Sequence, residues 1–292
     1  MSITYHLFAD DTQLHRCFSV KSIDEQLQAR DAMQQCLSEV SKWMLANKLK
    51  LNGSKTEIIL IGTPAQLRKV VFDTVNIDEQ AVSAKAVVKN LGVLIESDLK
   101  MKAQVNSVVK CCYRHLHVLR KMRSYLTTPA LHTLVQAFVI SRLDYANSLY
   151  FGIPEYLIDK LQRIQNMAAR LICNIQRRDP VIPALIELHW LPVRERIIYK
   201  MCLLTFKCLH GLAPVYLADL IHWKQPTRNL RSSHTPILHA PRTKLKYAGD
   251  RSFSSAAPRL WNNLPADIRS IASLHALKAK LKHHLFSIAY NL

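Results

Sequence analysis

Two hydrophobic periods run along this chain, and one gives way to the other near Lys100. Before that point, apolar and β-branched residues come in short runs cut by polar or Gly/Pro punctuation. After it, apolar residues recur every three or four positions. Residues 3–9 and 12–20 are β-prone and meet at Asp10-Asp11, which predicts a hairpin. Over 24–49, Leu27, Met33, Leu37, Val40, Met44 and Leu45 approximate helical spacing with polar residues between, so one long helix is expected. The apolar runs 57–61, 70–75 and 86–95, broken by Gly62-Thr63-Pro64 and Asp78-Glu79, predict strands with tight connections.

Beyond Lys100 the spacing predicts helices over 101–124, 128–141, 154–174, 193–210 and 214–222. Pro129, Pro154, Pro192 and Pro214 stand near helix starts, where proline is tolerated. The Pro- and Ser-rich stretch 226–258 predicts loop and short strand, and a last basic amphipathic helix is expected over 273–289. The fold class expected is α+β. Residues 1–99 form a mixed part, 100–225 a helical part, and 226–292 a basic region of loops and a final helix.

Charge sharpens this division. The formal net charge is +19, yet residues 1–100 hold 12 Lys/Arg and 12 Asp/Glu, whereas 101–292 hold 28 against 9. An excess confined to the helical part points to an acidic polymer or an anionic membrane surface as partner; a solvated basic surface is the plainer alternative. On a helical wheel of 101–124, Lys110, Arg114, His117 and Lys121 fall in one narrow stripe. Val105, Val108, Cys112, Leu116 and Leu119 fall opposite. Such a helix sets one face on a core and turns a basic ridge outward, a shape suited to tracking phosphates. In 154–174, Leu157, Leu161, Ile164, Ala168 and Leu171 form a core face flanked by Lys160, Arg163 and Arg170, whose stems can cover apolar surface.

Other chemistry is largely excluded. Six glycines and the absence of GxGxxG, GxxxxGK[ST] and HExxH leave Rossmann, P-loop and zincin classes without support. Seven cysteines form no CxxC and are expected to be reduced. Cys111, Cys112, His115 and His117 cannot all aim at one zinc from a single helix, so no zinc is expected. Neither a signal peptide nor a run of roughly 20 apolar residues is found, so a soluble, intracellular protein of nucleus or cytoplasm, without a membrane partner, is expected.

Asp10 and Asp11 remain. Adjacent carboxylates at a hairpin tip repel unless a cation neutralises them, and hard oxygen ligands of this kind suit Mg²⁺. In isolation a solvated Asp-Asp turn is the commoner explanation of the pair. The neighbourhood adds more. Leu7-Phe8-Ala9-Asp10-Asp11-Thr12-Gln13-Leu14 resembles the [YF]-A-D-D-T-x-L hairpin of non-LTR (LINE-type, jockey-like) retrotransposon reverse transcriptases. Trp43, Asn47-Lys48-Leu49-Lys50-Leu51-Asn52 and Lys55-Thr56-Glu57 resemble that family's W…N-x-L-x-L-N-x-x-K-T-E segment. Asn90-Leu91-Gly92-Val93 with Asp98-Leu99 resembles its LG(V/I)…D..L element, and the three follow the family order. Ser141-Arg142-Leu143-Asp144-Tyr145 with Asn147, His189-Trp190-Leu191-Pro192, and FSSAAPRLWNNLP over 253–265 resemble the tails of such elements.

The resemblance implies roles. Residues 1–99 would be the end of a polymerase palm, 100–225 the thumb, and 226–292 the C-terminal region. Asp10 and Asp11 would ligate the catalytic Mg²⁺, Phe8 would lie beside the primer terminus, and Lys55 would stand near the departing pyrophosphate. Leu91, Gly92 and Val93 would belong to the primer grip, and Lys110, Arg114, His117 and Lys121 would grip the duplex of RNA template and DNA primer. The family's third metal-binding carboxylate lies on an earlier palm strand, and only nine residues precede Asp10. The expectation is therefore a fragment of an RNA-directed DNA polymerase that is inactive alone. A non-catalytic RNA/DNA-binding module and a functionless mobile-element relic stay open as alternatives.

Overall fold

A computed structural model describes residues 3–77, 80–225, 237–243 and 246–292. The chain divides into two compact units, Met1–Ala103 and Gln104–Leu292. The fold is mixed α+β, with small antiparallel hairpins in the first unit and helices dominating the second.

In the first unit, strands β1 (Thr4–Phe8) and β2 (Asp11–His15) pair antiparallel, with Phe8 opposite Asp11. The two-residue loop Ala9-Asp10 closes them, with Ala9 at φ +53°. Positive φ at the first loop position alone matches the type II′ hairpin turn, whose hand suits twisted strands. Helix α1 (Ile23–Ala46) begins at Ser22, whose hydroxyl accepts the Glu25 N–H at 3.2 Å. It ends where Asn47 Nδ2 donates to the Trp43 carbonyl at 2.8 Å. One buried polar residue fixes this helix in place: Gln26 donates to the Val20 and Lys69 carbonyls and accepts the Val71 N–H. A short helix α2 (Pro64–Leu67) carries a capping box between Thr63 and Gln66.

The remaining strands are shorter than the apolar runs that predict them. Strand β3 (Thr74–Ile77) pairs with β4 (Gln80–Ser83), and β5 (Val87–Asn90) with β6 (Val93–Glu96). Residues 57–61 are not a strand; they contribute one bridge, Ile58 to Ala84. The stretch 70–73 is loop, and 16–20 does not extend β2. The run 86–95 is a hairpin folded at Leu91-Gly92, both with positive φ, the type I′ geometry. Its continuous hydrophobicity hid the turn. The expected break at Asp78-Glu79 lies outside the described residues.

The second unit is built from helices α3 (Lys102–Met122, whose first two residues belong to the first unit), α4 (Thr128–Val135), α5 (Ser141–Asp144), α6 (Glu155–Cys173), α7 (Ile182–Glu187), α8 (Val193–Leu209), α9 (Val215–Ala218), α10 (Lys246–Gly249), α11 (Phe253–Asn262), α12 (Ala266–Arg269) and α13 (Leu274–Tyr290). A π-helical turn, Gln136–Ile140, joins α4 to α5. Between α5 and α6, a 3₁₀ turn spans Asn147–Tyr150. Helix α9 covers only the middle of the expected 214–222. The expectation for 226–258 fails from Lys246 onward, and residues 226–292 hold more than one helix: α10 and α12 are short helices, and α11 continues through Pro258. Pro258 stands at the sixth position of α11 and is buried, held by packing rather than by propensity. Residues 226–236 and 244–245 lie outside the described set.

Helices α11 and α13 both pack on α8. Their cluster joins Met201, Cys202 and Phe206 with Ala257 and Trp261 and with Leu277, Leu281 and Leu285. Apolar residues thus return at three- and four-residue spacing on each helix, and burial drives the assembly.

Candidate nucleic-acid interface

The carboxylates sit at the tip of a thin ribbon. All of β1 is exposed, as are Asp10 and Asp11, with Phe8 64% exposed. Ala9 in the left-handed region bends the chain so that Asp10 occupies the second loop position and Asp11 opens β2. Two exposed carboxylates match hydrated Mg²⁺ in donor type. Among the described residues, no group of three or more His, Cys, Asp or Glu is arranged to hold a metal ion. A two-metal centre uses more fixed ligands than two carboxylates supply by themselves.

One contact brings two of the sequence motifs together. Gln13 Nε2, from the carboxylate ribbon, donates to Asn90 Oδ1 at 2.7 Å. Asn90 immediately precedes the Leu91-Gly92 turn, so the ribbon and the β5–β6 hairpin are tied side by side. Leu91 and Gly92 are exposed at this turn, and Val93 is buried beneath it.

Lys55 is exposed and is set by its own turn: Asn52 Oδ1 accepts from the Lys55 N–H and from Ser54 Oγ. Its neighbour Glu57 has a structural task that spacing did not reveal. It receives the Lys85 ammonium at 2.8 Å and the Lys89 N–H at 3.2 Å. These bonds hold its carboxyl below the usual range, Lys85 contributing most. Lys85 N–H also donates to the Ile58 carbonyl at 2.8 Å, so this part of the motif is a clasp between 57–58 and 85–89.

In the second unit α3 has the two faces its wheel predicts. Val105, Cys112, Leu116 and Leu119 are buried and Val108 is half-buried, while Lys110, Arg114, His117 and Lys121 are all exposed. Positions four, three and four apart stack along one side of a helix, so these four groups form a single outward row. Arg120 is exposed beside it. Lys160 of α6 donates to Asn106 on α3 at 2.9 Å and lies 5.9 Å from the Tyr156 ring centre. Arg163 is exposed; Arg170 is half-buried and donates to the Gln176 carbonyl. The Cys112 thiol is buried among apolar side chains and pushed up to about 12, which leaves it protonated and a poor metal ligand at neutral pH.

The tail motifs prove to be internal fasteners. Asp144 takes a bidentate grip from Arg196 of α8, with Nε to Oδ1 at 2.8 Å, and Asn147 Nδ2 donates to the same carboxylate at 3.4 Å. Gln165 donates to the Leu191 carbonyl, Gln162 accepts the Val193 N–H, and Tyr290 Oη donates to the Trp190 carbonyl at 2.6 Å. Asn262 exchanges two hydrogen bonds with the Leu238 backbone. Sequence spacing found these residues as motifs but gave no sign of what each one binds. No helix among the described residues is long and apolar enough to cross a membrane.

No family model, curated protein or solved structure matches the chain.

Proposed function

We propose that this chain is the palm end and thumb of a non-LTR retrotransposon reverse transcriptase, and that its working part is a nucleic-acid-binding surface on the second unit. The observation that carries the binding function is the exposed row Lys110, Arg114, His117 and Lys121, held rigid by the buried face of α3. Lys110, Arg114 and Lys121 on one helix face can neutralise phosphates, and the charge excess of 101–292 supplies the surrounding field. Ancestry is supported by the motif order and by the Gln13–Asn90 bond between the carboxylate ribbon and the glycine hairpin.

In that reading Asp10 and Asp11 would hold Mg²⁺, Phe8 and the Leu91-Gly92 turn would face the primer with the buried Val93 supporting that turn from beneath, and Lys55 would face the leaving phosphates. With two carboxylates available, this polypeptide by itself binds template and primer but does not extend the primer. Primer extension with Mg²⁺ or Mn²⁺ tests that limit; template-dependent incorporation abolished by Asp10→Ala would overturn it. Binding is tested by titrating a labelled RNA–DNA hybrid across salt concentrations. Affinity is expected to fall steeply as salt rises, because each phosphate contact releases counterions. Salt-insensitive or undetectable binding would refute the proposal.

A further inference from the structure

Beside the cationic row, His115 of α3 and Phe138 stack with ring centroids 5.3 Å apart and planes 20° from parallel. Phe138 stands within the π-helical turn. Its neighbours Val139 and Ile140 are fully buried, yet 43% of Phe138 is exposed. A π turn carries one residue more than an α turn and recurs at functional sites. The turn is fastened to α3 from below, where the Cys112 thiol lies 3.9 Å from the Val139 carbonyl.

Two arginines flank the stacked rings in sequence. Burial is the main cause that lowers the His115 pKa, and Arg142 and Arg114 lower it further. Arg142 lies four residues beyond Phe138, and Arg114 belongs to the phosphate-binding row; both are exposed. A part-exposed aromatic ring with exposed arginines near it in sequence complements a ligand that is flat and carries negative charge.

We infer that Phe138, backed by His115 and flanked in sequence by Arg114 and Arg142, is a stacking platform for an unpaired nucleobase. The surface would thus take a single strand, or the frayed end of a duplex, in addition to tracking phosphates. This rests on the nucleic-acid reading of α3 and deepens it. Closed duplexes hide their base faces in the stack, so only an unpaired base gains the aromatic contact.

The test compares three labelled ligands: an oligo-dT strand of roughly 20 nucleotides, a base-free strand of equal length, and a blunt duplex. The wild-type chain is expected to prefer oligo-dT over the base-free strand by about tenfold. Phe138→Ala should remove that preference while leaving base-free and duplex affinities unchanged, which also reports an intact fold, and Phe138→Trp should keep it. Equal wild-type affinity for oligo-dT and the base-free strand would overturn the platform yet leave the cationic row standing. A preference retained by Phe138→Leu, or a loss of all three ligands in Phe138→Ala, would assign Phe138 to apolar docking of a protein or to folding. No binding of any strand at low salt would overturn both the platform and the α3 reading.

Discussion

The two units of this chain treat their apolar residues in opposite ways. Among the described residues, six apolar side chains are buried in Met1–Ala103, against thirty-nine in Gln104–Leu292. In the first unit Tyr5, Leu7, Phe8, Trp43 and Leu45 are all more than half exposed. Its hairpins are two-stranded, and such ribbons are marginal without a packed face. In the second unit long helices enclose an extensive buried interior, with Trp261, Phe206 and Tyr150 fully buried. The contrast teaches that motif content and structural self-sufficiency are separate properties. The carboxylate ribbon carries the more conspicuous sequence motif, whereas the helical unit has the core to support a function.

The largest effect that would sharpen this contrast is in core packing. Trp261→Ala should cost about 4 kcal/mol of stability in denaturant unfolding. Trp43→Ala, at a site 62% exposed, should cost less than about 0.5 kcal/mol. Similar costs for the two would break the comparison.

A smaller effect concerns the fastener between α5 and α8. Arg196→Ala leaves Asp144 half-buried with only the longer Asn147 bond and should cost about 2 kcal/mol, while Arg194→Ala at the exposed Glu155 pair should cost under about 1 kcal/mol. Both are read from shifts of the unfolding midpoint.

The smallest effect depends on pH. Burial raises the pKa of Glu195, against the opposing pull of its backbone hydrogen bond and of Arg194. A carboxyl raised in the folded state favours folding fully below its ordinary pKa, and that contribution is lost as pH rises through the folded value. Glu195→Gln should therefore be more stable than the parent at pH 7, with the advantage gone below about pH 4. Unfolding curves at the two pH values check this; an advantage that persisted in acid would point to another cause.

Much of this was legible in sequence, because long helices repeat their signal. The 3.6-residue period placed α1, α3, α6, α8 and α13 and the two faces of α3. Short elements carry fewer repeats: the 86–95 run hid its turn, and Pro258 disguised α11 as loop until its buried face against α8 was seen. Pairings across the chain, such as Gln13 with Asn90 or Glu57 with Lys85, depend on tertiary placement and leave no periodic trace. The π-helical turn that presents Phe138 leaves no periodic trace for the same reason.

The most direct measurement sets the cations of one unit against those of the other. Affinity for a labelled RNA–DNA hybrid is followed across salt for the wild type, for Arg114→Glu with Lys121→Glu, and for Lys50→Glu with Lys55→Glu. If the helical unit carries the interface, the α3 pair should weaken binding by about tenfold or more and flatten the salt slope by roughly two phosphate contacts, while the Lys50 and Lys55 pair changes both much less. Loss confined to the Lys50 and Lys55 variant, with the α3 variant binding as the parent does, would contradict it.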